Sequence, residues 1–308
     1  MNHLLSIRKF MAVCMTIVLA LVILLSPGGS ATGQEKGGAP DRNAPAAPQQ
    51  QGPTYPAEME AFLDEELERE MRKHHIAGAA VSVVKDGELF FAKGYGSADF
   101  EKGIPVDPEQ TNFRTGSIAK LFTWTAVMQL AEQGKLDLDE DINTYLDFRI
   151  PDTYPQPITL KHLMTHTAGF EDLYYGRLAN DPNDLLPPRE WLISHMPARV
   201  RPPGRYAAYS SYGAALAGYI VARVSGEPYD QYVQEHILDP LGMVHTTAKP
   251  SMPPNIRAHT SVGYTYENGA FKEFPDTSEM AQSALAPADP SRHTLPSADL
   301  SGRYRGIP

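Results

Sequence analysis

Residues 203–243 read PGRYAAYSSYGAALAGYIVARVSGEPYDQYVQEHILDPLGM. A Pro-rich loop, Arg201-Pro202-Pro203-Gly204, gives way to Tyr209-Ser210-Ser211, and a helix of small and apolar residues, YGAALAGYIVARVSG, follows. Tyr209 therefore stands at a loop-to-helix junction. A tyrosine there is more often a packed aromatic with a solvated hydroxyl than a base, so its meaning depends on what accompanies it.

Upstream, Phe113–Phe122 reads FRTGSIAKLF. Ser117 sits where a glycine-ended loop turns into an apolar helix that runs to Gln133, with Gly134 as its C-cap. Lys120 then lies one turn on and close to the same face. A serine hydroxyl is a weak nucleophile until its proton is taken. A lysine amine takes it only if desolvation or nearby positive charge lowers its pKa from about 10.4. The helix N-terminus also favours developing negative charge. By itself S-x-x-K reads more simply as an N-cap serine followed by an ordinary helical lysine.

Around these segments the pattern is α+β. Met59, Phe62, Leu63, Leu67 and Met71 follow helical spacing from about Pro56, and the acids and bases between Glu65 and Glu70 form a solvated face. AAVSVV and ELFFAKGYG flank Lys85-Asp86-Gly87, and VGYTYE and AFKEF flank Asn268-Gly269, so two β-hairpins are predicted. Between them, from Asp137 to Met243, lie helical segments broken by Pro-rich loops such as DPNDLLPP. No fixed-period repeat occurs.

His162 and His166 are four apart and could share a helix face, but Leu-Met-Thr rather than a glutamate lies between them, so no zinc site is assigned. Trp124, Trp191 and the tyrosines read as core and pocket walls. There is no phosphate loop or dinucleotide fingerprint, and no cofactor is expected. The net charge of −10 and the lack of clustered Lys and Arg argue against a nucleic-acid partner.

Arg8, Lys9, the apolar run Met11–Leu25 and the small residues Gly28–Ala31 read as a signal peptide over 1–31, with a retained N-terminal membrane anchor as the alternative. Either way the chain is expected outside the cytoplasm, secreted or associated with the cell envelope. The single cysteine, Cys14, lies within that run, so a mature chain has no thiol nucleophile and no disulfide. Residues 32–55, rich in Gly, Gln, Pro and Ala, read as a disordered linker.

Taken together, Ser117-Ile118-Ala119-Lys120, the stretch Ile158–Gly169 (ITLKHLMTHTAG) and the segment Pro203–Met243 resemble, in that order, the class C β-lactamase and penicillin-binding-protein family of serine hydrolases. The resemblance runs from about Pro56 to about Thr247. It implies an antiparallel sheet with flanking helices against an all-helical region, the nucleophile helix lying between them. It also implies that Ser117 attacks an acyl carbonyl while Lys120 and Tyr209 handle its proton, either of them serving as formal base. β-Lactams, D-amino-acid or peptidoglycan-type peptides and simple esters all occur as substrates among such relatives, so a small-molecule or peptide substrate is expected.

Two departures qualify the likeness. Ser211 takes the place of the family's Asn, the substrate-binding residue of the Y-x-N motif, and it is shorter with a single donor. The third motif, Lys or His, then Ser or Thr, then Gly on a strand that supplies an oxyanion N–H, is not found after Tyr209. His259-Thr260-Ser261 is the nearest string. The hydrolase domain is thus expected over 56–286 with an incomplete sheet, and 287–308 as an irregular tail left by truncation or a frame shift near Pro287. The competing reading is a non-catalytic remnant that binds peptide or cell-wall ligands.

Overall fold

Two hairpins and a helical core carry the architecture. The structure, a computed structural model, describes residues 54–171, 186–249 and 252–274. The expected signal peptide, nearly all of the linker and the tail lie outside the described residues.

Helix α1 (Pro56–His74) leads into β1 (Gly78–Lys85) and β2 (Glu88–Asp99), which pair antiparallel from Gly78 opposite Gly96 to Lys85 opposite Glu88. Asp86 and Gly87 both sit at positive φ, 54° and 86°, which gives the two-residue turn a twist matching that of the strands. A short β3 (Ile104–Pro105) pairs with the far end of β2, giving the order β1-β2-β3. Met59, Leu63, Leu67 and Met71 of α1 are half-buried, and Lys93 of β2 donates to Glu60 at 2.7 Å and to Asp64 at 3.0 Å. Phe62, part of the apolar pattern in the sequence, is 61% exposed. These half-buried apolar residues form a single i, i+4 row, and Phe62 lies off it.

The main core is helical. It is built from α2 (Lys120–Glu132), α3 (Leu160–Met164), α4 (Pro188–Ser194), α5 (Ser211–Ser225) and α6 (Tyr229–Val233), the last running on into a π-helical turn, Gln234–Leu238. α5 is buried from Tyr212 through Gly218 and again at Ile220 and Val221, as a helix apolar on all sides must be. Its alanines and glycines let α2 come close, and Ala126, Val127 and Leu130 of α2 are fully buried in the same cluster as Leu216 and Ile220. Each such leucine or isoleucine contributes about 1.5–3 kcal/mol. Ser210 caps α5 by accepting the Gly213 N–H at 3.0 Å, and Gly226 ends it at φ 80°.

After the short α7 (Pro254–Arg257) comes the second hairpin, β4 (Tyr264–Glu267) and β5 (Ala270–Glu273), turned by Asn268 and Gly269 at φ 54° and 83°. The Val262 N–H donates to the Ala98 carbonyl at 2.8 Å, and the Phe100 ring packs on Phe271 at 4.9 Å, so the hairpin is tied to the end of β2. The expected α+β class holds: small antiparallel sheets accompany a helical region.

Candidate active site

The sequence places Ser117 at a helix start, and the local geometry sharpens this. Gly116–Ala119 form a 3₁₀ turn that runs into α2 at Lys120. In a 3₁₀ turn residues i and i+3 eclipse one another, whereas in an α-helix they are offset. Lys120 therefore stands directly over Ser117, with Nζ 3.3 Å from Oγ. Ser117 is exposed, as are its neighbours Ile118 and Leu121.

Tyr209 arrives from 92 residues away and donates from its hydroxyl to Ser117 Oγ at 2.6 Å. Lys120 Nζ lies 5.0 Å from the centre of its ring. Burial pushes the phenol's pKa up, but hydrogen bonds with Lys120 and Ser117, the lysine's charge and the Ser211 hydroxyl together outweigh it. The net result is a phenol held below its ordinary value of 10.0. On ionisation the short contact reverses, and the serine hydroxyl donates to the phenolate. The three side chains thus form a compact cluster around one hydroxyl, an arrangement through which a proton can pass.

Two chain segments hold Tyr209 in reach. After α3 the loop 166–171 runs antiparallel to 198–208, joined by Glu171 N–H to Ala198 O (2.9 Å), Val200 N–H to Gly169 O (2.9 Å), Gly204 N–H to Thr167 O (2.9 Å) and Ala208 N–H to His166 O (2.7 Å). Gly169, at φ 83°, allows the closest approach, because a Cβ there would run into the Arg201 carbonyl oxygen. The THTAG run of the sequence is therefore one half of the clamp behind the tyrosine.

The two histidines do not share a helix face, because α3 ends at Met164 and His166 lies beyond it at φ 56°. His162 completes the N-terminal cap of α3: its Nδ1 accepts the Thr159 N–H at 3.1 Å, while Thr159 Oγ1 accepts the His162 N–H. His166 Nδ1 accepts the Ser210 N–H at 3.2 Å, and its ring lies 4.5 Å from that of Tyr209. The placement of His166 against Tyr209 left no signal in the sequence beyond its membership of the ITLKHLMTHTAG stretch.

Ser211, the first residue of α5, is half-buried and lies two residues from Tyr209, whose phenol it helps to hold below its ordinary value. His259-Thr260-Ser261 pairs with Asn112: the Asn112 N–H donates to His259 O at 2.8 Å and the Ser261 N–H to Asn112 O at 2.9 Å. The Thr260 hydroxyl donates to the Ile256 carbonyl at 2.8 Å, so this string serves the chain's own backbone. A cavity of about 480 Å³ opens behind the Gly116–Ala119 turn, lined by Gly116, Ala119, Phe122, Tyr229 and Thr260 among others, with neither Ser117 nor Tyr209 in its wall. Among the described residues, Glu227, Glu235 and His236 have ligand atoms within 4.8 Å of one another, on the surface.

Residues 63–302 match the sequence family described as Beta-lactamase, past Thr247 where the sequence resemblance fades. The chain is 37% identical over 182 residues to the "Putative penicillin-binding protein PbpX" of Bacillus subtilis (strain 168), covering 59% of this chain and 44% of that protein. It thus spans less than half the length of that curated relative. Among solved structures, it is similar to the octameric penicillin-binding protein homologue from Pyrococcus abyssi, with a TM-score of 0.61, 28% identity, and coverage of 73% of this chain and 54% of the other. It is also similar to a β-lactamase/D-alanine carboxypeptidase from Pseudomonas syringae, with a TM-score of 0.59, 25% identity, and coverage of 74% and 63%.

Proposed function

The chain belongs to the β-lactamase family, and from that premise we propose that it is an exported serine hydrolase that opens an amide or ester through an acyl-Ser117 intermediate. The observation that carries the reading is one hydroxyl, Ser117 Oγ, lying 3.3 Å from Lys120 Nζ and 2.6 Å from the Tyr209 hydroxyl.

Tyr209, ionised with the help of the Lys120 ammonium, takes the proton of Ser117 as Oγ bonds to the acyl carbon. The tetrahedral oxyanion gathers at the start of the 3₁₀ turn, where the first N–H groups of a helix look outward. Its collapse breaks the bond to the leaving amine or alcohol, which receives the proton from Tyr209. Water then enters, loses a proton to the same phenolate and releases the acid, restoring Ser117.

The Pseudomonas syringae protein is named for β-lactams and D-alanine peptides, so β-lactams and D-amino-acid peptides are the proposed substrates, with simple esters as surrogates. Ser211 is proposed to steady Tyr209 as well as to touch substrate. Export rests on residues 1–31.

The test offers the full chain a chromogenic cephalosporin, a D-alanyl-D-alanine peptide and a nitrophenyl ester, quenching at short times for mass spectrometry. An acyl increment on the Ser117 peptide, absent in Ser117→Ala, is expected with at least one of them. Binding of the peptide with no increment from any of the three would instead favour the binding-only reading, toward which the occupied Thr260 hydroxyl points.

A further inference from the structure

Tyr209 lies two residues before the first residue of α5, outside that helix's hydrogen-bonded frame. Its aim at Ser117 must therefore come from elsewhere. The backbone on its N-terminal side is held by the Ala208 N–H donating to the His166 carbonyl at 2.7 Å. On its C-terminal side the Ser210 N–H donates to His166 Nδ1 at 3.2 Å. Between these two bonds the imidazole packs on the phenol ring, with centroids 4.5 Å apart and planes inclined by 37°, while Trp124 meets the imidazole edge-on at 6.3 Å.

We infer that His166 is the positioning residue for Tyr209, gripping the backbone on both sides of the tyrosine and the ring between, so that the phenol oxygen is delivered to Ser117. The inference rests on the hydrolase reading for its consequence, though not for its geometry. One residue can turn both its carbonyl and its side chain to the same passing segment because its backbone is left-handed, at φ 56°. Histidine, asparagine and aspartate are the non-glycine residues enriched in that conformation. An Nδ1 that accepts an N–H carries no proton of its own, which places the ring proton on Nε2. His166 acts through Tyr209, by the two backbone bonds and the ring contact, rather than on a reacting atom. Displacing a catalytic group by about 1 Å can cost roughly 10² in rate, so the grip matters for chemistry more than for folding.

The test uses the full chain with His166→Gly, His166→Asn and His166→Gln. Glycine keeps the positive φ and loses the acceptor and the ring. Asparagine tolerates the same φ and offers Oδ1 where Nδ1 stood. Glutamine carries its oxygen one bond too far. Two readouts are followed alongside the melting temperature: the rate at which a fluorophosphonate modifies Ser117, and the titration of the Tyr209 phenol by ¹³C-tyrosine NMR, its signal assigned by Tyr209→Phe.

The modification rate is expected to fall about 10²-fold in His166→Gly, the phenol's pKa to rise toward its ordinary value, and His166→Asn but not His166→Gln to restore both. A glycine variant that labels and titrates like the parent overturns the inference. So does an asparagine variant no better than the glutamine one, a comparison that stands even if His166→Gly fails to fold. If the parent is never labelled but its phenol titration still shifts in His166→Gly and returns in His166→Asn, the positioning role stands and the hydrolase reading fails.

Discussion

Replacing Tyr209 by Phe removes one oxygen and little else. The ring remains to pack 4.5 Å from His166 and 5.0 Å from Lys120 Nζ, and at 45% exposure the side chain contributes little to the core. Folding stability should therefore change by no more than about 0.5 kcal/mol. The lost oxygen, however, is the one 2.6 Å from Ser117 Oγ. A positioned general base supplies roughly 10²–10⁴ in rate, or about 3–5 kcal/mol of barrier. Lys120 remains 3.3 Å from the serine, but as an ammonium it accepts no proton, so a loss of roughly 10²–10⁴ is expected. The assay is the rate of fluorophosphonate modification of Ser117 from neutral to alkaline pH. Because the Tyr209 phenol is held below 10.0, the parent's rate should climb as pH rises through that lowered value, and Tyr209→Phe should lose the climb. Equal rates and equal pH profiles in parent and variant, with melting unchanged, would refute the idea that the phenol activates the serine.

Lys120→Ala removes the ammonium that lowers the Tyr209 phenol, so the phenol's pKa should rise and Ser117 labelling should slow, as read by the same NMR titration and labelling assay. Gly169→Ala must adopt φ 83° and drive a methyl into the Arg201 carbonyl; urea unfolding should show a loss of about 2 kcal/mol or more, of which the left-handed backbone accounts for roughly 1–2. His162 titrates below its ordinary 6.5, chiefly through burial and secondarily through Arg199. Its folded value is depressed, so the stability it confers is fully present above 6.5 and is lost as pH falls through the folded value. His162→Gln, which keeps an acceptor for the cap of α3, should flatten that acid limb in denaturation measured against pH. For export, N-terminal sequencing of fractionated cells should find the chain outside the cytoplasm and starting near Thr32; a soluble cytoplasmic chain that keeps Met1 contradicts it.

What the sequence made legible was local. Asp86-Gly87 and Asn268-Gly269 announce their hairpins because positive φ at both turn positions is a property of those residues. Ser117 at a helix start could be read from the glycine before it and the apolar spacing after it. That the first turn is 3₁₀, which brings Lys120 over the serine, is a matter of about 60° of rotation over three residues, which periodicity does not resolve. Tyr209 and Ser117 meet through a 92-residue closure, and no spacing rule carries across such a gap; only the family resemblance joined them. His166 escaped for a similar reason. As half of a zinc pair it looked weak, and its place beside Tyr209 exists only because the chain leaves α3 in a left-handed conformation and folds back along 198–208. Phe62 shows the converse, an apolar residue in register with a stripe whose partner surface was narrower than the stripe.

Everything proposed for this chain turns on Ser117 being an activated nucleophile. The most direct test is peptide mapping of the full chain after exposure to a fluorophosphonate at neutral pH. A single phosphonyl increment is expected on the peptide containing Ser117, absent after Ser117→Ala and after unfolding in urea. An increment that persists in Ser117→Ala, or one that appears equally on scattered serines in the unfolded chain, would contradict it.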